Sequence, residues 1–163
     1  MVLETAAPAA AGAPVEINVE AFTTTLPTIW IGSSASATSV KIAQSLLTLR
    51  GFPLTVDGIF GHISFTEVKA FQAAVGITQD GIVGPATWLH LFVGITQIQA
   101  GSTDSTSVKI AQSLLSLEGF TTAVDGVFGP VTRAQVLAFQ RARSLAADGI
   151  VGQATWTTLA NAK

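Results

Sequence analysis

Apolar residues recur at helical spacing three times in each half of this chain. Val40, Ala43, Leu46 and Leu47 form a stripe that stops at Gly51, the residue type best suited to the left-handed turn that ends a helix. Val68, Phe71 and Val75 mark a second helix that ends before Gly76, and Ala86, Trp88 and Leu89 mark a shorter third. Shifting the chain by 68 residues lays 38–91 on 106–159 without a gap, with 32 identities in 54 positions. TSVKIAQSLL, VDG-x-FG, AFQ, DGIVG and ATW all return in order. The match runs weakly backwards in the same register, PTIWIGSSASATS facing ITQIQAGSTDSTS. A duplication of this length predicts two small modules, 28–95 and 96–163, rather than one stacked array. Each is expected to be a three-helix bundle, so the fold class is all-α.

The punctuation between the stripes is also repeated. An Asp-Gly turn precedes a helix four times, at Asp57, Asp80, Asp125 and Asp148. A glycine after the aspartate admits positive φ, and the carboxylate can accept from backbone amides of the turn. Pro85 and Pro130 fall at the first helical position, where a missing N–H costs nothing. The aliphatic or Phe residue between the glycines is expected to point inward as a plug. One carboxylate per loop is too few for Ca²⁺, which takes six or more oxygens, and the glycine spacing is not that of a phosphate loop. The expected role of each turn is therefore structural.

Residues 1–27 belong to neither copy and read as an extended arm. VEINVEAF at 15–22 alternates, which predicts a strand, and AAPAAAGAP at 6–14 has linker composition. Without a core of its own, such an arm is expected to pair with a neighbour. The start has no basic residue before its small-residue stretch, and Glu4, Glu16 and Glu20 interrupt it, so it does not read as a secretory signal. No run of 18 apolar residues exists to span a membrane. The expectation is a protein made in the cytoplasm without a recognisable Sec signal.

Composition narrows the chemistry. A net charge of −2 argues against nucleic acid as a partner. Only 11% of residues are charged and mean hydropathy is +0.53, against roughly 25% charged residues in an average soluble domain. The surface is either unusually neutral or covered. There is no Cys, so no disulfide or thiolate chemistry exists. His62 and His90 have no partner at a metal-ligand spacing, and the few acids are scattered over turns and helices. No metal, cofactor or catalytic set is expected, and the chain reads as a non-enzyme.

SVKIAQSLL, GF, DGIFG (DGVFG in the second copy), AFQ, DGIVG and ATW-x-x-L, in that order in both copies, resemble the peptidoglycan-binding domain found beside catalytic domains in bacterial cell-wall hydrolases. The usual Leu-Gln pair of the first helix is replaced by Ala43-Gln44 and Ala111-Gln112. The resemblance implies three-helix bundles and a noncatalytic anchor recognising wall glycan or stem peptide. Candidate wall-binding residues are Asp57, Asp80, Asp125 and Asp148 in the turns, Trp88 and Trp156 as sugar platforms or core anchors, and Arg133 and Arg141 as carboxylate partners. Where the copies differ, module 1 carries Phe65, Val75, Leu89, Phe92 and Val93 opposite Arg133, Arg143, Thr157, Ala160 and Asn161. Positions that accept Arg are usually solvent-facing, so these five apolar residues are the expected interface with a protein partner or the arm. Anchoring of a larger assembly to the wall, possible for a released or virion-like particle, is the leading expectation. The alternative is a structural subunit of a phage or contractile injection particle that keeps the fold without binding glycan.

Overall fold

A computed structural model describes residues 15–161 and is all-helical, with seven helices and only isolated β-bridges among those residues. A single helical turn, α1 (Glu20–Thr23), leads in. Module 1 follows as α2 (Ala37–Leu49), α3 (His62–Val75) and α4 (Pro85–Phe92), and module 2 as α5 (Ser105–Leu117), α6 (Pro130–Ala142) and α7 (Gln153–Ala160). The three stripes read in each copy are thus three helices. Gly76 ends α3 at φ +79°, and Pro85 and Pro130 open α4 and α6.

The first helices of the modules, α2 and α5, pack against each other. That contact explains why residues 42–47 are buried without interruption. A helix facing a single core would alternate, whereas α2 has its own module on one side and α5 on another. Both modules contribute to one apolar core, with Ile42, Leu46, Trp88 and Leu91 from the first and Ile110, Leu114, Trp156 and Leu159 from the second.

Each module begins with a short lead-in tied to its second turn. Ile29 pairs with Val83, and Ile98 with Val151, each through an antiparallel bridge. Val83 and Val151 are 68 apart, but Ile29 and Ile98 are 69 apart. The lead-ins therefore correspond one residue out of the register expected from sequence, with the extra residue lying between Gly32 and the helix cap at Ser36. Burial decides the pairing: Ile29 and Ile98 are both fully buried, whereas the gap-free register would set Ile29 against the polar Gln97. The register resumes at the caps, where Ser36 and Asp104 accept from the amides of Ser39 and Ser107.

The expected strand at 15–22 is mostly not one. Glu16 bridges Thr96, and the Gln97 amide donates to the Val15 carbonyl at 2.7 Å. The chain then turns into α1. Ile17, Phe22, Leu26 and Ile29 are all buried, so inward positions follow the grooves they fill rather than a period of two. Phe22 meets Phe92 edge to face at 5.2 Å. The arm also reaches module 2: the Asn18 amide donates to Gln153 Oε1 at 2.9 Å, and Thr25 Oγ1 donates to Asn161 Oδ1 at 3.2 Å. This part of the arm joins its own chain's core. The linker-like segment at 6–14 lies outside the described residues.

Candidate functional site

All four Asp-Gly turns are built on a buried glutamine. Gln44 lies on α2 with its side-chain amide inside the first turn of module 1. Its Nε2 donates to Asp57 Oδ1 (3.0 Å), the Ile59 carbonyl (3.1 Å) and Ser64 Oγ (3.2 Å). Its Oε1 accepts from the amides of Asp57 (3.1 Å) and Gly58 (2.9 Å). Gln112 makes the same set with Asp125, Val127, Thr132 and Gly126. In the second turns Gln72 holds Asp80, Ile82, Thr87 and Gly81, and Gln140 holds Asp148, Ile150, Thr155 and Gly149. Burying an amide is costly unless every polar atom is bonded, and here each is satisfied. The polar loop can consequently sit directly on the core.

Sequence reasoning missed these glutamines because a Gln within a helix looks like a surface residue. A signal was present. The Gln stands 13 residues before the Asp in both first turns and 8 before it in both second turns. A Ser or Thr follows each Asp by seven, giving D-G-x-x-G-x-x-[ST] four times.

The turn glycines take positive φ, +79° at Gly58 and +73° at Gly81. Of the two residues between the glycines, only the second plugs the core: Val83 and Val151 are fully buried and Phe128 nearly so. The first points outward, contrary to the simplest expectation of the pattern, since its amide must turn in to meet the Asp carboxylate. Ile59 is 70% exposed and Val127 64%.

That outward residue begins a repeated surface feature. Ile63, in the first turn of α3, is 74% exposed, and its counterpart Val131 on α6 is 62% exposed. Val56 and Val124, just before the turns, are exposed too. In module 1 these aliphatic groups flank an open groove of about 250 Å³ lined by Leu54, Asp57, Ile59, His62 and Ile63 among others. The Asp57 carboxylate is held below its ordinary value of 3.8 by the Ile59 amide first, then by the Gln44 side chain and the nearby Lys41 charge. Asp125 is lowered in the same way by Val127 and Gln112. Both are ionised at neutral pH. The feature can offer a fixed negative charge beside an aliphatic wall.

The other expected site residues are placed as follows. Trp88 and Trp156 are 1% and 0% exposed, with their indole N–H groups donating to the carbonyls of Pro27 and Thr96. They are core anchors, and neither offers a ring face to a sugar. Asp80 and Asp148 are exposed in the second turns. Arg133 is exposed and lies over Gly149, where Phe65 lies over Gly81 in module 1. Arg141 is exposed on α6. The five apolar residues expected to form one interface have separate surroundings. Phe65 covers a turn, half-buried Val75 packs on the core and Phe92 is enclosed by Phe22 and Trp88. Leu89 is half-buried and Val93 is 50% exposed.

The described residues thus form two tandem three-helix bundles, each carrying a pair of D-G-x-x-G turns. The model of the putative peptidoglycan binding domain family matches residues 36–91 and again 104–159, and the chain belongs to that family. It is 31% identical over 152 residues to an N-acetylmuramoyl-L-alanine amidase of Bacillus licheniformis, covering 74% of this chain and 42% of the amidase. It is 54% identical over 69 residues to the zinc D-Ala-D-Ala carboxypeptidase of Streptomyces albus G, covering 39% of this chain and 27% of that enzyme. The chain thus spans less than half the length of these relatives. A crystal structure of a peptidoglycan-binding protein from Clostridioides difficile is 41% identical over 39% of this chain and 40% of its own, with a TM-score of 0.38. The family associates the chain with the bacterial cell wall, and no helix among the described residues is long and apolar enough to cross a membrane.

Proposed function

We propose that this chain is a noncatalytic peptidoglycan-binding protein that anchors a partner to the wall, and that it grips the wall at the first Asp-Gly turn of each module. The observation that carries the reading is the duplicated surface: Asp57 with Ile59 and Ile63, and Asp125 with Val127 and Val131. Aliphatic side chains of this size left in water beside an ionised carboxylate, twice over, suit a ligand with methyl groups and an amine. Stem peptides supply both. The lowered pKa of each Asp keeps its carboxylate charged and available to an amine. Of the residues assigned to a protein partner, Leu89 and Val93 remain accessible for that contact, together with the arm.

The test is retention on purified, protein-free peptidoglycan. Replacing Ile63→Ser together with Val131→Ser should cut retention about tenfold while leaving the unfolding midpoint within ~0.5 kcal/mol, since both side chains are exposed. Unchanged retention would overturn the turn contact. A parent protein that does not bind the wall at all would favour the structural-subunit reading instead.

A further inference from the structure

The chain has three tryptophans, and the structure treats the third differently. Trp30 is 47% exposed. Its indole N–H, unlike those of Trp88 and Trp156, has no partner among the described residues. The backbone beneath it is nevertheless fixed. Ile29 exchanges two hydrogen bonds with Val83, at 3.0 and 2.8 Å, and the Ser33 amide closes a turn on the Trp30 carbonyl at 2.9 Å. A large ring is thereby held in water on a rigid support.

Beside it lies a groove of about 340 Å³ assembled from three parts of the chain. The arm supplies Thr25, the lead-in and start of α2 supply Thr28, Ser34 and Ser36, and the end of α7 in module 2 supplies Asn161. Among the described residues, none that lines it is charged. The hydroxyls of Thr28 and Ser34 are unengaged among the described residues. Asn161 Oδ1 accepts one bond, from Thr25, and retains capacity for a second. The groove lies where the arm, the lead-in of module 1 and the end of module 2 meet.

We propose that this groove is a saccharide subsite: a pyranose ring stacks on Trp30 while its hydroxyl or N-acetyl groups bond the short neutral side chains around it. A sugar has an apolar C–H face and a polar rim, which is the division the groove presents. A ligand bearing carboxylates or amines would find no counter-charge among the described lining residues and would lose hydration without return. Module 2 carries Gln99 where module 1 carries Trp30, so the chain has one such subsite, not two. The inference rests on the wall-binding reading only for the source of the sugar, the glycan strand, and it separates glycan contact from peptide contact at the turns.

Iodide quenching of intrinsic fluorescence tests it, because Trp88 and Trp156 are inaccessible and Trp30 reports alone. Titrating the intact protein with an N-acetylglucosamine tetramer up to ~10 mM, about ten times a millimolar Kd, should protect Trp30 from iodide. Trp30→Gln, which installs the side chain module 2 uses, should abolish the protectable signal. It should also lower retention on peptide-free glycan strands about tenfold, with Trp30→Phe intermediate. Quenching unaffected by the tetramer, or equal retention of parent and Trp30→Gln, overturns the subsite. Those results leave the turn contact to be judged by the Ile63→Ser, Val131→Ser variant on whole peptidoglycan, so the two ideas fail separately.

Discussion

Modules 1 and 2 share their helices, turns and buried glutamines, yet solve three local problems in opposite ways. At the end of the first helix, module 1 has Arg50 and module 2 has Glu118. Arg50 donates to the carbonyls of Leu91 (3.0 Å) and Val93 (2.7 Å), closing the end of α4. Glu118 instead pairs with Arg143, whose guanidinium lies over Phe120 and Phe139. In module 1 the counterpart of Arg143 is Val75, which needs no such partner. Over the second turn, Phe65 faces Arg133. At the end of the third helix, Phe92 corresponds to Ala160, and the Phe92 ring takes Phe22 of the arm edge to face. The lesson is that apolar substitution in one copy need not signal a missing partner. Val75 and Phe92 are each accommodated within the chain, Val75 against the core and Phe92 by the Phe22 contact of module 1.

The largest expected effect concerns the arm. Phe22→Ala should cost about 3–5 kcal/mol in urea unfolding, as for a fully buried Phe, and Phe92→Ala, which recreates the residue of module 2, a similar amount. Their coupling in a double-mutant cycle should be ~0.5–1.5 kcal/mol for an edge-to-face pair. A loss below ~1 kcal/mol from Phe22→Ala would show that the arm is an accessory, and the contrast between the module ends would collapse.

Next come the clamps. Gln44→Ala and Gln112→Ala should each cost about 2–4 kcal/mol, because each leaves turn amides and a carboxylate oxygen without a buried partner. Equal losses would establish that the modules are equivalent where their sequences agree. The second turns should differ. A Cβ at Gly81 would stand 2.2 Å from the Phe65 ring, whereas at Gly149 it meets the Arg133 side chain at 3.1 Å. Both sites have positive φ, which costs roughly 1–3 kcal/mol for alanine. Gly81→Ala should exceed Gly149→Ala by a further ~1 kcal/mol or more, since a ring packed over a turn yields less readily than a flexible guanidinium. Identical midpoints would remove the distinction between the two covers.

The smallest effect is the acid response. Asp104 caps α5; burial raises its pKa, but bonds from Ser107 and Thr96 and the charge of Arg50 outweigh this and lower it. With Asp57 and Asp125 also lowered, the stability these groups contribute is complete above the ordinary carboxylate pKa near 4 and is lost as pH falls through the lower folded values. Module 1 caps the equivalent helix with Ser36, which does not titrate. Asp104→Ser should therefore flatten part of the loss below about pH 4. An unaltered acid profile would show that the cap carries none of it.

Much of this was legible beforehand. Helix stripes and glycine or proline stops mark all six module helices because both signals are local. The glutamine clamps were harder to see, since their meaning lies in separations of 8 and 13 residues across loops. The arm misled for a different reason: Glu16, Asn18 and Glu20 alternate with apolar neighbours, but what they face is set by grooves of both modules. Similarly, Trp88 and Trp156 stand out because they repeat, while Trp30 has no counterpart in module 2 to mark it.

The arm's position in the chain also sets a timetable. Phe22 can meet Phe92 as soon as α4 leaves the ribosome. Its companion bonds, Asn18 to Gln153 and Thr25 to Asn161, span 135 and 136 residues, and at about 5–20 residues per second the ribosome needs roughly 3–14 s to synthesise the last helix after α4. Two local bundles can form early, because their contacts are close in sequence. The final closure is delayed until translation has delivered both modules. The arm is therefore synthesised early, docks first on module 1 and is fastened to module 2 only after both modules have been made.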